Sequence, residues 1–243
     1  MKSRSHNALG FLLISGIFTL LLLLICLLGN HLPLEKAKGA SGNRAYTVVL
    51  DAGHGGEDGG ASSADGIREK DLNLSIAKTI GTYLEQHGVS VVYTRTEDVL
   101  LYDRNVDFKG RKKLLDLAAR LKIARETENS VFVSIHMNAF PQKQYHGLQV
   151  YYSAHHPLSQ ALALAVQNKV KEALDPENTR RIKKADSSIY LLDRNEKPAI
   201  LIECGFLSND AEARRLADEN YQKQLSLIIA LSILNTMDNA QWQ

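Results

Sequence analysis

Four residues of this 243-residue chain combine types and positions able to do hydrolytic chemistry: His54 in "VVLDAGHGG", Glu69 in "REKDLNL", His136 in "VFVSIH" and Glu203 in "PAILIEC". Two imidazoles with one or two carboxylates are the donor set zinc takes in catalytic sites, where three protein ligands leave a fourth position for water. Magnesium or calcium would require mostly oxygens. A zinc ion in such a set lowers the pKa of water to about 7 and polarises a carbonyl oxygen, and a further carboxylate is then needed as general base. Each residue alone has a plainer explanation. A strand-end histidine is more often a hydrogen-bonded loop residue, and a glutamate ahead of a helix gains from the positive end of the helix dipole. Glu203 resists the plain reading, because a carboxylate closing an apolar strand is costly to desolvate without a cation beside it. Asp51 and Asp58 compete with Glu69 for the carboxylate role, although turn formation among Gly and Ser accounts for Asp58 and Asp65. His146, His155 and His156 compete as imidazoles; the last two precede a proline and a helix, as exposed loop residues do. Arg120, Arg125 and Asn138 are left as groups that touch substrate or orient ligands.

These residues need elements that bring them to one edge. Short β-branched runs ("YTVVLD", "VSVVYT", "VFVSIH", "GLQVYY", "PAILIEC") alternate with helical patterns over Asp71 to His87, Arg111 to Glu126, Leu158 to Leu174 and Tyr221 to Met237. Leu72, Ile76, Ile80 and Leu84 recur every four residues before Gly88, and Leu114, Leu117, Ala118 and Leu121 form a second stripe. The expectation is a single three-layer α/β domain over 45–240, with a mostly parallel mixed sheet and helices on both faces. In such sheets ligands collect beyond the carboxyl ends of the strands, where His54, His136 and Glu203 all fall. The basic start of the second helix, Gly110 to Arg120, reads as a solvated face. Gly53, Gly55 and Gly56 read as leaving room for a bulky polymer near His54.

Ahead of this domain, Ala8 to Leu28 is an almost unbroken apolar stretch, roughly 30 Å long as a helix and so bilayer-spanning. It exceeds the h-region of an ordinary signal peptide, and no small-residue cleavage pair closes it. Residues 1–29 are expected to be an uncleaved signal anchor and 30–44 a linker, with the remainder extracytoplasmic. The formal charge of +2 gives no case for nucleic acid. The two cysteines, Cys26 and Cys204, exclude a disulfide within the folded domain.

Four segments, "LDAGHGGEDGGA", "REKDLNL", "SIHMNA" and "PAILIECGFLSN", resemble in order the signatures of the zinc-dependent N-acetylmuramoyl-L-alanine amidases of the bacterial cell wall. The resemblance runs from Tyr46 to about Met237. It implies zinc ligands at His54, Glu69 and His136, a catalytic glutamate at Glu203, and cleavage of the amide joining the lactyl group of muramic acid to L-alanine in peptidoglycan. "FKGRKKLLDL", "RRIKKADSSIYLL" and the N-terminal anchor further resemble the germination-specific amidases of endospore formers. That implies work on spore cortex in the intermembrane space around the forespore, paired with a deacetylase that completes muramic-δ-lactam. The sequence departs from the pattern at Ala52, where proline is common, and at Cys204, where valine is usual; a small buried hydrophobe is the expected role of Cys204. The competing functions are a zinc peptidase cutting within wall peptides and a non-catalytic wall-binding module with a structural metal.

Overall fold

The computed structural model describes residues 44–103, 105 and 109–240. The anchor expected over 1–29, and nearly all of the linker expected over 30–44, lie outside the described residues. Among the described residues no helix is long and apolar enough to cross a membrane.

The β-branched runs become β1 (Thr47–Ala52), β2 (Ser90–Tyr93), β3 (Ser130–Asn138), β4 (Gln149–Tyr152) and β6 (Ala199–Phe206), with a two-residue β5 (Lys183–Lys184). They form one six-stranded sheet in the order β2-β1-β3-β6-β4-β5. β2, β1, β3 and β6 run parallel, and β4 lies antiparallel to β6 and parallel to β5. The mixed α/β architecture is the one expected from the alternation of patterns.

Six helices cover the sheet: α1 (Glu69–Gln86), α2 (Lys112–Glu126), α3 (Pro157–Leu174), α4 (Tyr190–Arg194), α5 (Asp210–Ala217) and α6 (Glu219–Asp238). Strand side chains alternate between the two faces. Val48, Leu50, Val133, Ile135, Ile200 and Ile202 point to a face packed by α1, α3, α5 and α6. Val49, Phe132, Ala199 and Leu201 point to the other, under α2 and α4. On that second face the strands turn polar toward their carboxyl ends, at Asp51, Ser134, His136 and Glu203. One face of the sheet is therefore core throughout, and the other becomes a floor for chemistry.

Two features depart from the expected pattern. In α2 the buried residues are Asp116, Arg120, Leu121 and Ala124, while Leu114 is 48% exposed. The face turned to the sheet meets Asp51, so a charge pair lies where an apolar stripe was expected. α4, α5 and β5 are too short to impose a period on the sequence. α5 nevertheless has a readable start, because Asn209 accepts from the backbone N–H groups of Ala211 and Glu212.

Candidate metal centre and active site

His54 follows β1 on a turn where its own φ is +61°, a left-handed conformation rare outside glycine. Two arginines hold that turn by its main chain. Arg120 donates from NH2 to His54 O at 2.7 Å and from NH1 to Ala52 O at 2.7 Å. Arg95 donates from Nε to Ala52 O at 2.8 Å and from NH2 to Gly53 O at 3.0 Å. Arg120 is itself buried in ion pairs with Asp51 and Asp116, both at 2.7 Å. Asp51 also accepts from the hydroxyls of Thr94 and Ser134. Burial opposes its charge, but Arg120 and these hydroxyls outweigh that and hold its carboxyl below the usual range. Asp51 is thus committed to Arg120 and is not a free donor.

Glu69 is the first residue of α1, one step further along than the exit loop on which the sequence placed it. The helix start puts a carboxylate at the carboxyl edge of the sheet, where Oε1 lies 3.2 Å from His54 Nε2 and 2.9 Å from His136 Nδ1. Oε1 also accepts from Met137 N at 3.0 Å, and Oε2 from Ala61 N at 2.7 Å. Burial works against the charged form, yet the hydrogen bonds to His136 and His54 prevail and hold this carboxyl far below the usual carboxylate range. One donor atom each from His54, Glu69 and His136 lie within 4.8 Å of one another. Two ring nitrogens and a charged oxygen converging from three separate elements fit a borderline cation such as zinc.

Two glycines make that convergence possible. A Cβ on Gly53 would lie 2.2 Å from His136 Nε2, and one on Gly60 would lie 2.4 Å from Glu69 Oε2. Gly55 and Gly56 do not open space for a polymer. A Cβ there would meet Val99 O at 2.3 Å and Leu100 N at 3.1 Å, so these glycines admit the protein's own following segment.

Glu203 pairs directly with His136 across β3 and β6, so both side chains leave the same face. It is half-buried, and Oε2 is buried without a hydrogen-bond partner. Burial pushes its carboxyl up to about 7, against the pull of the His136 imidazole. Just beyond it the register shifts by one residue, so that Asn138 faces Phe206, a bulge of the kind found beside active sites. A cleft of about 490 Å³ opens over this floor and is lined by His54, His136, Asn138 and Glu203 among others.

The other sequence candidates lie elsewhere or act indirectly. Asp58 Oδ2 is 2.9 Å from His54 Nδ1, behind the ring, although His54 Nδ1 has no aligned hydrogen-bond partner. His146 is exposed, His155 faces Asp193 O, and His156 Nδ1 accepts from Leu158 N to cap α3. Arg125 reaches Arg194 O. Sequence reasoning missed Arg95 and Asp116, and it named Asp51 and Arg120 without pairing them. The signal was present: Asp51 closes an apolar strand as Glu203 does, and Asp116 and Arg120 are four apart on one helix.

Residues 48–235 match the N-acetylmuramoyl-L-alanine amidase family. The chain belongs to this family. The amidase is 36% identical over 187 residues to the germination-specific N-acetylmuramoyl-L-alanine amidase of Bacillus subtilis, covering 77% of this chain and 78% of that protein. Among solved structures it resembles the CwlD amidase of Clostridioides difficile in complex with the GerS lipoprotein. Identity there is 38% and the TM-score 0.76, over 80% of this chain and all of that one. The amidase AmiC2 of Nostoc punctiforme is 35% identical with a TM-score of 0.68, over 82% of this chain and all of that one. In this amidase Cys204 is 1% exposed, and burial pushes its thiol well up, so it packs as a small apolar residue.

Proposed function

We propose that this amidase is zinc-dependent and cleaves the bond between the lactyl carbonyl of N-acetylmuramic acid and L-alanine of peptidoglycan, in spore cortex. The observation that carries the reading is the meeting of His54, Glu69 and His136 beside Glu203, whose Oε2 has no other partner. His54, Glu69 and His136 hold the metal, and Asp58 stands behind the His54 ring to orient it, as carboxylates do behind metal-binding imidazoles. Bound there, zinc supplies Lewis-acid polarisation of the scissile carbonyl and acidifies the attacking water. Glu203 takes the proton of that water at Oε2 and returns it to the departing nitrogen of L-alanine. A carboxyl poised near 7 can hold and release a proton under neutral conditions.

The cortex role rests on the likeness to the germination-specific amidase. In it, the bared lactyl group goes on to a muramic acid deacetylase, which completes muramic-δ-lactam. The apolar run Ala8 to Leu28 anchors the protein in a membrane, with residues 45–240 as an extracytoplasmic catalytic domain in the intermembrane space around the forespore. The test is digestion of defined cortex peptidoglycan by the detergent-solubilised chain, with and without chelator, and mass spectrometry of the new termini. Free lactyl carboxylates and free L-alanine amino groups that disappear with chelator support the reading. Cuts within the peptide, with muramic acid still substituted, would make it a peptidase instead.

A further inference from the structure

The cleft does not end at the four residues described above. On the face shared by His136 and Glu203, Leu201 of β6 stands in register with Tyr151 of β4, and Tyr151 with Lys183 of β5. The cleft lining follows this row: past Glu203 the floor is Leu201 and Tyr151, and the far rim carries Lys183 and Lys184, whereas Lys113 of α2 stands at the His54 end, where it favours the charge of Asp58. Lys183 Nζ lies 6.0 Å from the centroid of the Tyr151 ring. Lys183 and Lys184 are exposed, and among the described residues the one acid near them that Lys183 helps to keep charged is Asp186. The acids of the same lining are engaged. Asp51 and Asp116 hold Arg120, Asp58 faces His54, and Asp186 accepts from Ser188 N and Oγ. One arm of the cleft is thus apolar at its base and cationic at its mouth.

We propose that this arm is the peptide subsite, and that Lys183 and Lys184 read free carboxylates on the stem peptide, the glycan leaving the centre on the opposite side. The inference rests on the amide hydrolysis proposed for the same site and assigns its polarity. The carboxyl group of muramic acid is consumed in the scissile amide, and N-acetylated sugar rings are neutral, so the glycan side offers the lysines nothing. The peptide side offers carboxylates beyond its first residue. Spacing agrees. β5 lies two strands from β6, roughly 10 Å at about 4.8 Å per strand, which an extended peptide covers in about three residues. Alanine then lies on the apolar floor while the carboxylates of the second and third residues reach the rim.

The test compares a muramoyl tripeptide bearing free carboxylates on its second and third residues with its fully amidated analogue, using the zinc-loaded full-length chain in detergent. The carboxylate form is expected to be favoured about tenfold in kcat/KM at low ionic strength, mainly through KM, as charge-assisted contacts of partly exposed groups allow. The preference shrinks at high salt, and it falls toward one in the Lys183→Gln/Lys184→Gln double variant. Equal turnover of both tripeptides by the unaltered chain, or a preference the double variant keeps in full, overturns the assignment of the arm while leaving the amidase reading standing. Hydrolysis of neither tripeptide overturns both.

Discussion

At the scale of single residues, the proposed chemistry turns on a carboxyl group, Glu203, whose Oε2 is buried without a hydrogen-bond partner and which faces an imidazole across a strand pair. Glu203→Gln is expected to lower kcat by about 10²–10⁴-fold, the range of a lost general acid–base group, with zinc content by elemental analysis unchanged. Retained turnover in that variant would remove Glu203 from its role. The same carboxyl predicts a pH effect on stability in the chelated protein. It titrates at about 7 when folded and near 4.3 when unfolded, so the folded chain holds its proton more tightly. Its contribution is full below about pH 4.3 and is lost as pH rises toward 7, with a slope of at most about 1.4 kcal/mol per pH unit. Thermal midpoints of chelated wild type and Glu203→Gln, compared at pH 5 and pH 8, should diverge in favour of the variant at the higher pH. At Gly53, an added Cβ would lie 2.2 Å from the His136 ring. Gly53→Ala is therefore expected to displace the ring, cost about 1–3 kcal/mol as overpacking does, and reduce the zinc retained after dialysis.

At the scale of elements, α2 is the brace of the His54 turn. Arg120→Met would leave Asp51 and Asp116 buried without their cation, and breaking such a pair costs about 3–5 kcal/mol. Urea unfolding should show that loss, with no comparable loss in Glu203→Gln. This brace also marks where the sequence stopped being readable. His54, His136 and Glu203 stood out because each follows or ends an apolar strand at one edge of an α/β sheet, and Glu69 because it lies on the loop that leaves His54, just ahead of the first helical pattern. Arg120 was named as a group that orients ligands or touches substrate, but its pairing with Asp51 was not, because the stripe in α2 was sought among its leucines and a guanidinium in a helix looks solvated until its acid on another strand is seen. β5 and α4 were invisible for a different reason. Two and five residues impose no period, so their place is set by the neighbours they pack against and not by their own pattern. The glycines after β1 were read as leaving room for a bulky polymer. Their reason was internal, since the space they leave is filled by His136, Val99 and Leu100.

For the whole molecule, the proposed metal donors come from the turn after β1, the start of α1 and the end of β3, so a bound ion would tie three segments together. Zinc at a hundred times its dissociation constant adds about 2.7 kcal/mol to stability. A domain of this size should then melt roughly 5–10 °C higher than in chelator, and a midpoint unmoved by zinc would argue against the site. The sheet order has a further consequence for how the chain comes to exist. Among the described strands β6 is the last made, yet it lies in the middle, between β3 and β4. Until it arrives, β4 and β5 have no strand linking them to β3 and the face bearing His136 lacks its opposing carboxylate. Such non-local pairing makes for slow folding. A growing or broken chain that stops short of Glu203 therefore lacks both the strand that joins β3 to β4 and the carboxylate that faces His136, so that sheet and candidate site are completed in the same step.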